Sequence, residues 1–281
     1  RWLPSTNTWV SAGVTVPDLV LPNSFEIGAG LTLTDGRAFY IGATPHTSIY
    51  TQPTIPTGTG SWVAGPDFPL IGGRSIGAED APAALLPNGH VIVTASPVTA
   101  GGGSFESPTY FFEYDGTTMP QIAAPPNSSG PAFIGRMMIT PNGELLYSAN
   151  GQIQVFVPST GPNPAWRPTI TFAPGILMPL GTYPLQGTQF NGLSQCVGYG
   201  DDSESATNYP IVRIRNNRTG HVFYCRTFNH STMGIATGAA IVGTNFKVPA
   251  SVEPGPSVLE VVANGISSVP RPVKVLAKRA P

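Results

Sequence analysis

Charge is scarce in this chain. Fourteen basic and fifteen acidic residues make up 10% of its 281 positions, against roughly 25% in an ordinary soluble domain. The formal net charge of −1 leaves no basic patch able to displace several phosphate counterions, which argues against a nucleic-acid partner. No run of eighteen or more apolar residues is present, so no helical membrane span is expected. Cysteine is limited to Cys196 and Cys225, too few for a disulfide framework. The opening Arg1-Trp2-Leu3-Pro4 has neither an initiator Met nor a leader, and the expectation is a processed product or a fragment with blades missing upstream.

Glycine and proline are plentiful, 33 and 31 residues. Glycine weakens helix interiors and proline removes a backbone donor, so the hydrogen bonds of such a chain belong in short strands joined by tight turns. Disorder is disfavoured because 41% of the residues are hydrophobic and the apolar runs recur evenly, which can support a core. The expected class is all-β.

The recurrence has a period. Leu31 to Gly42, Leu85 to Thr94 and Ile139 to Tyr147 each hold an apolar run, an Asp-Gly or Asn-Gly turn and a second apolar run, with turn glycines at 36, 89 and 143. Asp-Gly or Asn-Gly between β-rich segments is a strong hairpin signal, and both central turn positions are expected at positive φ. A third strand with aromatics follows at Ser48–Tyr50, Tyr110–Tyr114 and Gln154–Phe156, and a fourth element is marked by Trp9, Trp62 and Trp166, with Met119 in the middle unit. Four strands and a Trp about every fifty residues is kelch-type β-propeller arithmetic, and each Trp is expected to pack between blades. Residues 1–165 are therefore expected to hold the end of one blade and three whole blades. Three blades cannot close a ring, so missing N-terminal blades or a second chain are expected to complete it.

After Trp166 the period stops. Runs at Pro168–Ile170, Gly181–Phe190, Pro210–Ile214, His221–Tyr224, Thr244–Val248, Ser257–Val262 and Val273–Val275 predict an immunoglobulin-like β-sandwich over 166–281. Cys196 and Cys225 are expected on strands of that sandwich and bridged. Sequons at Asn127, Asn217 and Asn229, with the low charge, point to a secreted, extracellular glycoprotein.

Kelch repeats followed by an immunoglobulin-like domain resemble the galactose oxidase and glyoxal oxidase group of copper radical oxidases. The segments Leu85–Val93, Tyr199–Asp202, Ala206–Pro210, Gly220–Tyr224 and His230–Gly234 are similar to secreted kelch-repeat proteins of no defined activity. The oxidase resemblance implies a copper-ligating His on a loop of the C-terminal domain, and His230 falls about where that loop would be. It also implies a Tyr-His ligand pair and a Cys crosslinked to a Tyr. The chain has no Tyr-His dipeptide and no Cys before position 196.

Two further sites are read from the residues. Aligned on their turn glycines, the repeats place Glu26, Glu79 with Asp80, and Arg136 just before each innermost strand, at the face where propellers bind ligands. These form a candidate polar site at a channel mouth, with mutual satisfaction of backbone and charge as the plainer role. Asp201 and Asp202, with Glu204, form the one acidic cluster of the C-terminal part, where calcium is conceivable although the spacing matches no calcium-loop motif. His46, His90 and His221 lack metal-ligand spacing.

No cofactor is expected as the leading reading, with copper as the alternative. The expected function is extracellular binding or surface and matrix structure, with a carbohydrate-rich partner. The alternatives are a copper radical oxidase of sugars, alcohols or aldehydes, and a carbohydrate hydrolase or lyase using the channel-mouth carboxylates.

Overall fold

A computed structural model describes residues 1–99, 101, 106–200 and 208–277. The protein is all-β, 40% strand and 2% helix. Among the described residues no helix is long and apolar enough to cross a membrane. The chain divides into two compact units. The first comprises 1–139, 144–159 and 196–207, and the second 140–143, 160–195 and 208–281. The switch thus falls near residue 160 rather than 165, and the stretch 166–281 is interrupted by a return to the first unit.

The first unit begins with the ladder β1 (Trp2–Leu3) and β2 (Thr8–Trp9). A four-stranded antiparallel sheet follows, from β3 (Gly30–Thr32), β4 (Ala38–Ile41), β5 (Thr47–Thr51) and β6 (Ser61–Ala64). The second sheet contains β7 (Ile76–Gly77), β8 (Pro82–Leu85), β9 (Val91–Pro97), β10 (Tyr110–Tyr114) and β11 (Gln121–Ile122), and the third β12 (Arg136–Ile139), β13 (Leu145–Ala149) and β14 (Gln152–Phe156). The hairpins form where the Asp-Gly and Asn-Gly signals lie, but with different turn geometry. At each of the three turns the glycine alone, Gly36, Gly89 or Gly143, has positive φ. The residue before each glycine stays on the ordinary side, and Asp35 and Asn88 instead use Oδ1 to accept the amide two residues on, at 3.0 Å in both cases. A left-handed glycine closing a longer loop gives the strands their twist without a second strained residue.

Aromatic pairs stack the three sheets. Phe39 of β4 lies parallel to Tyr114 of β10 with ring centroids 4.3 Å apart, and Phe111 of β10 meets Tyr147 of β13 edge-on at 4.9 Å. Such pairs contribute about 0.5–1.5 kcal/mol beyond their buried area. Of the tryptophans, Trp62 packs on Tyr40 and Tyr50 and donates its indole N–H to the Ala12 carbonyl. Trp9, by contrast, is 80% exposed. Trp166 is not in a fourth strand of the third sheet. It ends a short 3₁₀ turn, Pro164–Trp166, and the strand that follows belongs to the second unit.

In the second unit, β15 (Thr169–Phe172), β16 (Ile176–Leu177) and β17 (Thr182–Thr188) precede the excursion to the first unit, where the chain forms β18 (Val197–Tyr199). Next come β19 (Ile211–Asn216), β20 (Val222–Phe228), β21 (Val242–Lys247), β22 (Gly255–Ala263), β23 (Ile266–Ser267) and β24 (Arg271–Val275). Nine of these strands make one continuous sheet, in the order β15-β17-β21-β20-β19-β22-β24-β16 with β23 beside β22. The sheet curls into a half-barrel. Alternating residues from both its arms, Leu185 and Phe246 on one and Val212, Ile214, Leu259 and Val261 on the other, share one core.

Candidate functional site

The inner ends of the first unit's sheets are organised by the returning strand. β18 pairs antiparallel with β8, Tyr199 opposite Pro82 and Val197 opposite Ala84, and the Leu85 amide donates to the Cys196 carbonyl at 2.7 Å. β18 also lies against β3 and β12. A Cβ on Gly198 would stand 3.0 Å from the Gly30 carbonyl, so a larger residue would push the neighbouring strand away by a few tenths of an ångström.

The feet of the excursion are stitched in the second unit by buried amides. Asn208 Nδ2 donates to the Ser194 carbonyl at 3.0 Å, Asn264 Nδ2 to the same oxygen at 2.8 Å, and Asn264 Oδ1 accepts the Leu193 amide at 2.8 Å. The Asn264 amide in turn donates to Asn208 Oδ1 at 3.1 Å. Exit and re-entry are thereby tied to one point of the curled sheet.

Around β18 a row of contacts runs from Arg136 through Tyr199 and Gly200 to Asp80 and, by way of Ile27, to the segment that holds Glu26. Arg136, the first residue of β12, holds its guanidinium 4.0 Å above the Tyr199 ring and donates to the Phe133 and Gly135 carbonyls at 2.8 and 2.6 Å. The Tyr199 hydroxyl donates to the same Phe133 carbonyl at 2.7 Å. Gly200, with φ +31°, lies against Asp80, whose Oδ1 would be 2.6 Å from an added Cβ. Asp80, itself left-handed at φ +48°, sends its amide toward the Ile27 carbonyl at 3.4 Å, which sets Glu26–Ile27 beside Glu79–Asp80. Glu79 and Asp80 are buried, Glu26 is half-buried and Arg136 is exposed. Of these four side chains, Arg136 and Glu26 are the accessible ones, and Glu79 and Asp80 form a buried acidic bend. Glu79, with no exposed surface, is not placed to meet a substrate as half of an acid–base pair. Tyr199 and Gly200 were not among the residues singled out for this site. Their signal was a short apolar run broken by glycines, legible as a strand but not as one belonging to the first unit.

Both cysteines carry thiols and no disulfide joins them, which corrects the expected bridge. Cys196 precedes β18 in the first unit, whereas Cys225 sits on β20 in the second. Burial pushes the Cys225 thiol up to about 12. His230 is half-buried and shares a hydrogen bond with the Thr244 hydroxyl at 3.0 Å. The other histidines face carboxylates: His46 with Asp67 at 2.9 Å, and His90 with Glu113 and His221 with Glu253, both at 2.7 Å. Among the described residues no three His, Cys, Asp or Glu side chains gather as a metal site. Asp201, Asp202 and Glu204 lie outside the described residues.

The sequons divide. Asn217 and Asn229 are exposed. Asn127 is buried, and its Nδ2, the atom a glycan would occupy, donates to the Ala149 and Gln152 carbonyls at 3.3 and 3.2 Å. Glycosylation there is incompatible with this packing.

No family model matches the chain, and no curated protein matches it. Among solved structures it is similar to the native conformation of E. coli alpha-2-macroglobulin, at 12% identity and a TM-score of 0.21 over 89% of this chain. The chain spans about 12% of that protein's length.

Proposed function

We propose that the chain is an extracellular binding protein of carbohydrate-rich surfaces or matrix, built from an arc of kelch-type propeller blades and an immunoglobulin-like sandwich. Three stacked antiparallel sheets at a regular sequence period support the blade reading, and the two-armed core of the curled sheet supports the sandwich. Two exposed sequons support secretion.

The observation that carries the binding reading is the row at the inner strand ends. Arg136 is held rigid by two carbonyls and the Tyr199 ring while still exposed, and Glu26 is half-buried. A preorganised guanidinium donates to hydroxyls or carboxylates of a sugar with little further loss of side-chain entropy. Such a fixed donor beside a buried acidic bend suits recognition better than turnover.

A glycan array with the intact protein tests this. Saturable binding to a defined class, weakened about tenfold or more in Arg136→Ala with unchanged stability, is expected. Turnover of sugars, alcohols or aldehydes that requires copper, or glycan cleavage lost in Glu79→Gln, would replace the binding reading with an enzymatic one.

A further inference from the structure

The third sheet of the first unit is one strand short. In the first sheet β6 pairs with β5, and in the second β11 pairs with β10. The corresponding edge is that of β14, and among the described residues no strand pairs with it. Ile153 and Val155 of β14 and the following Val157 are 65%, 56% and 66% exposed. No lysine or proline lies within β14 to blunt the edge, the devices by which exposed strands are usually protected.

A cleft marks what is missing. Between the second and third sheets lies an opening of about 240 Å³ lined by Phe111, Ile122, Leu145, Tyr147, Val155 and Phe156, among others. Between the first and second sheets, Met119 is buried in the core with Phe39, Phe112 and Tyr114. Met119 stands two residues before β11, and the Glu113 amide of β10 donates to the Pro120 carbonyl at 3.1 Å beside it. The fourth strand of one repeat thus brings the apolar side chain that seals the gap to the preceding sheet. Among the described residues, the third repeat lacks both the strand and the plug.

We infer that the β14 edge and this cleft form a β-augmentation site for an extended strand of a different polypeptide, which carries a large apolar side chain two residues ahead of its paired segment. The added strand continues the β12-β13-β14 ladder through its backbone, and its side chain fills the cleft, which gives affinity and register respectively. A second copy of this chain is not the occupant. Its strands of this type, β6 and β11, are already paired within their own sheets, and a second β14 laid against the first brings no plug to the cleft. The inference rests on strand pairing and holds whether or not the chain binds glycans.

The test uses the full chain and a synthetic peptide of residues 115–124, which contains Met119 and β11, as the probe. Calorimetric titration is expected to show saturable binding, with amide shifts and slowed exchange centred on 152–157. The same peptide with Met119→Asp is expected to bind at least tenfold more weakly, and Val155→Lys in the protein is expected to weaken the parent peptide similarly. The peptide comparison on unaltered protein decides the matter even if Val155→Lys fails to fold. Absence of binding at millimolar peptide, equal binding of the two peptides, or shifts centred elsewhere would overturn the inference. So would concentration-dependent dimerisation abolished by Val155→Lys, which would give the edge to a second copy.

Discussion

Two side chains look functional in sequence and acquire different roles once their surroundings are known. Asn127 reads as a sequon, yet its amide holds the β13–β14 hairpin through two carbonyls. Replacing it with Ala leaves both acceptors buried without that donor, at a cost of about 1–3 kcal/mol, measurable as a lower urea midpoint. In a glycosylating host, mass spectrometry of folded protein is expected to find glycan at Asn217 or Asn229 and none at Asn127. Cys225 reads as half of a bridge and is a buried thiol. Because burial raises its folded value to about 12 from an ordinary thiol value of 9.0, the neutral form is favoured in the native state. Its contribution to stability is fully present below about pH 9 and is lost as pH rises from there toward 12. Iodoacetamide at pH 8 is expected to leave Cys225 unmodified in native protein and to alkylate it in denaturant.

At the scale of elements, the strand that decides the inner end of the first unit is only three residues long. β18 has little propensity of its own, and its place depends on close backbone approach at Gly198 and Gly200 and on the amide stitches at its feet. A Cβ at Gly200 would strike Asp80 at a backbone angle that already disfavours side chains. Gly200→Ala is expected to destabilise the protein by about 1–3 kcal/mol. Asn208→Ala removes the bond between the feet, and its expected mark is faster amide exchange at Val197–Tyr199 with the β19–β22 amides little changed. Equal acceleration across both sets would show that Asn208 serves the curled sheet generally rather than the returning strand.

At the scale of the whole molecule, the two units are interleaved in sequence, each containing segments from both sides of residue 160. A fragment ending at residue 159 lacks β18, so β8 gains an open edge and the core around Ala84, Leu86 and Met137 loses Cys196 and Val197. An unprotected edge promotes pairing between chains. That fragment is expected to aggregate or unfold at lower urea than the same region in the full chain. Peptide 194–208 added in trans is expected to recover part of the difference. A fragment as stable as the full chain would show that β18 is dispensable.

Much of the architecture was legible because it is local. A glycine turn between two apolar runs encodes a hairpin whatever surrounds it, so the hairpins at Gly36, Gly89 and Gly143 and strands at 110–114, 210–214 and 257–262, the last two within a few residues of their observed ends, could be placed from residue type and spacing. The repeats also singled out Glu26, Glu79, Asp80 and Arg136, seven to ten residues ahead of the turn glycines; in the structure Arg136 opens β12, whereas the three acids precede β3 and β8. What the sequence could not encode locally was partnership. Whether β15 pairs with β14 or β17, whether Cys196 faces Cys225, and which sheet receives Val197–Tyr199 are contacts between residues far apart in the chain. Competing core packing and satisfaction of buried amides decide them, and only the tertiary structure resolves that competition.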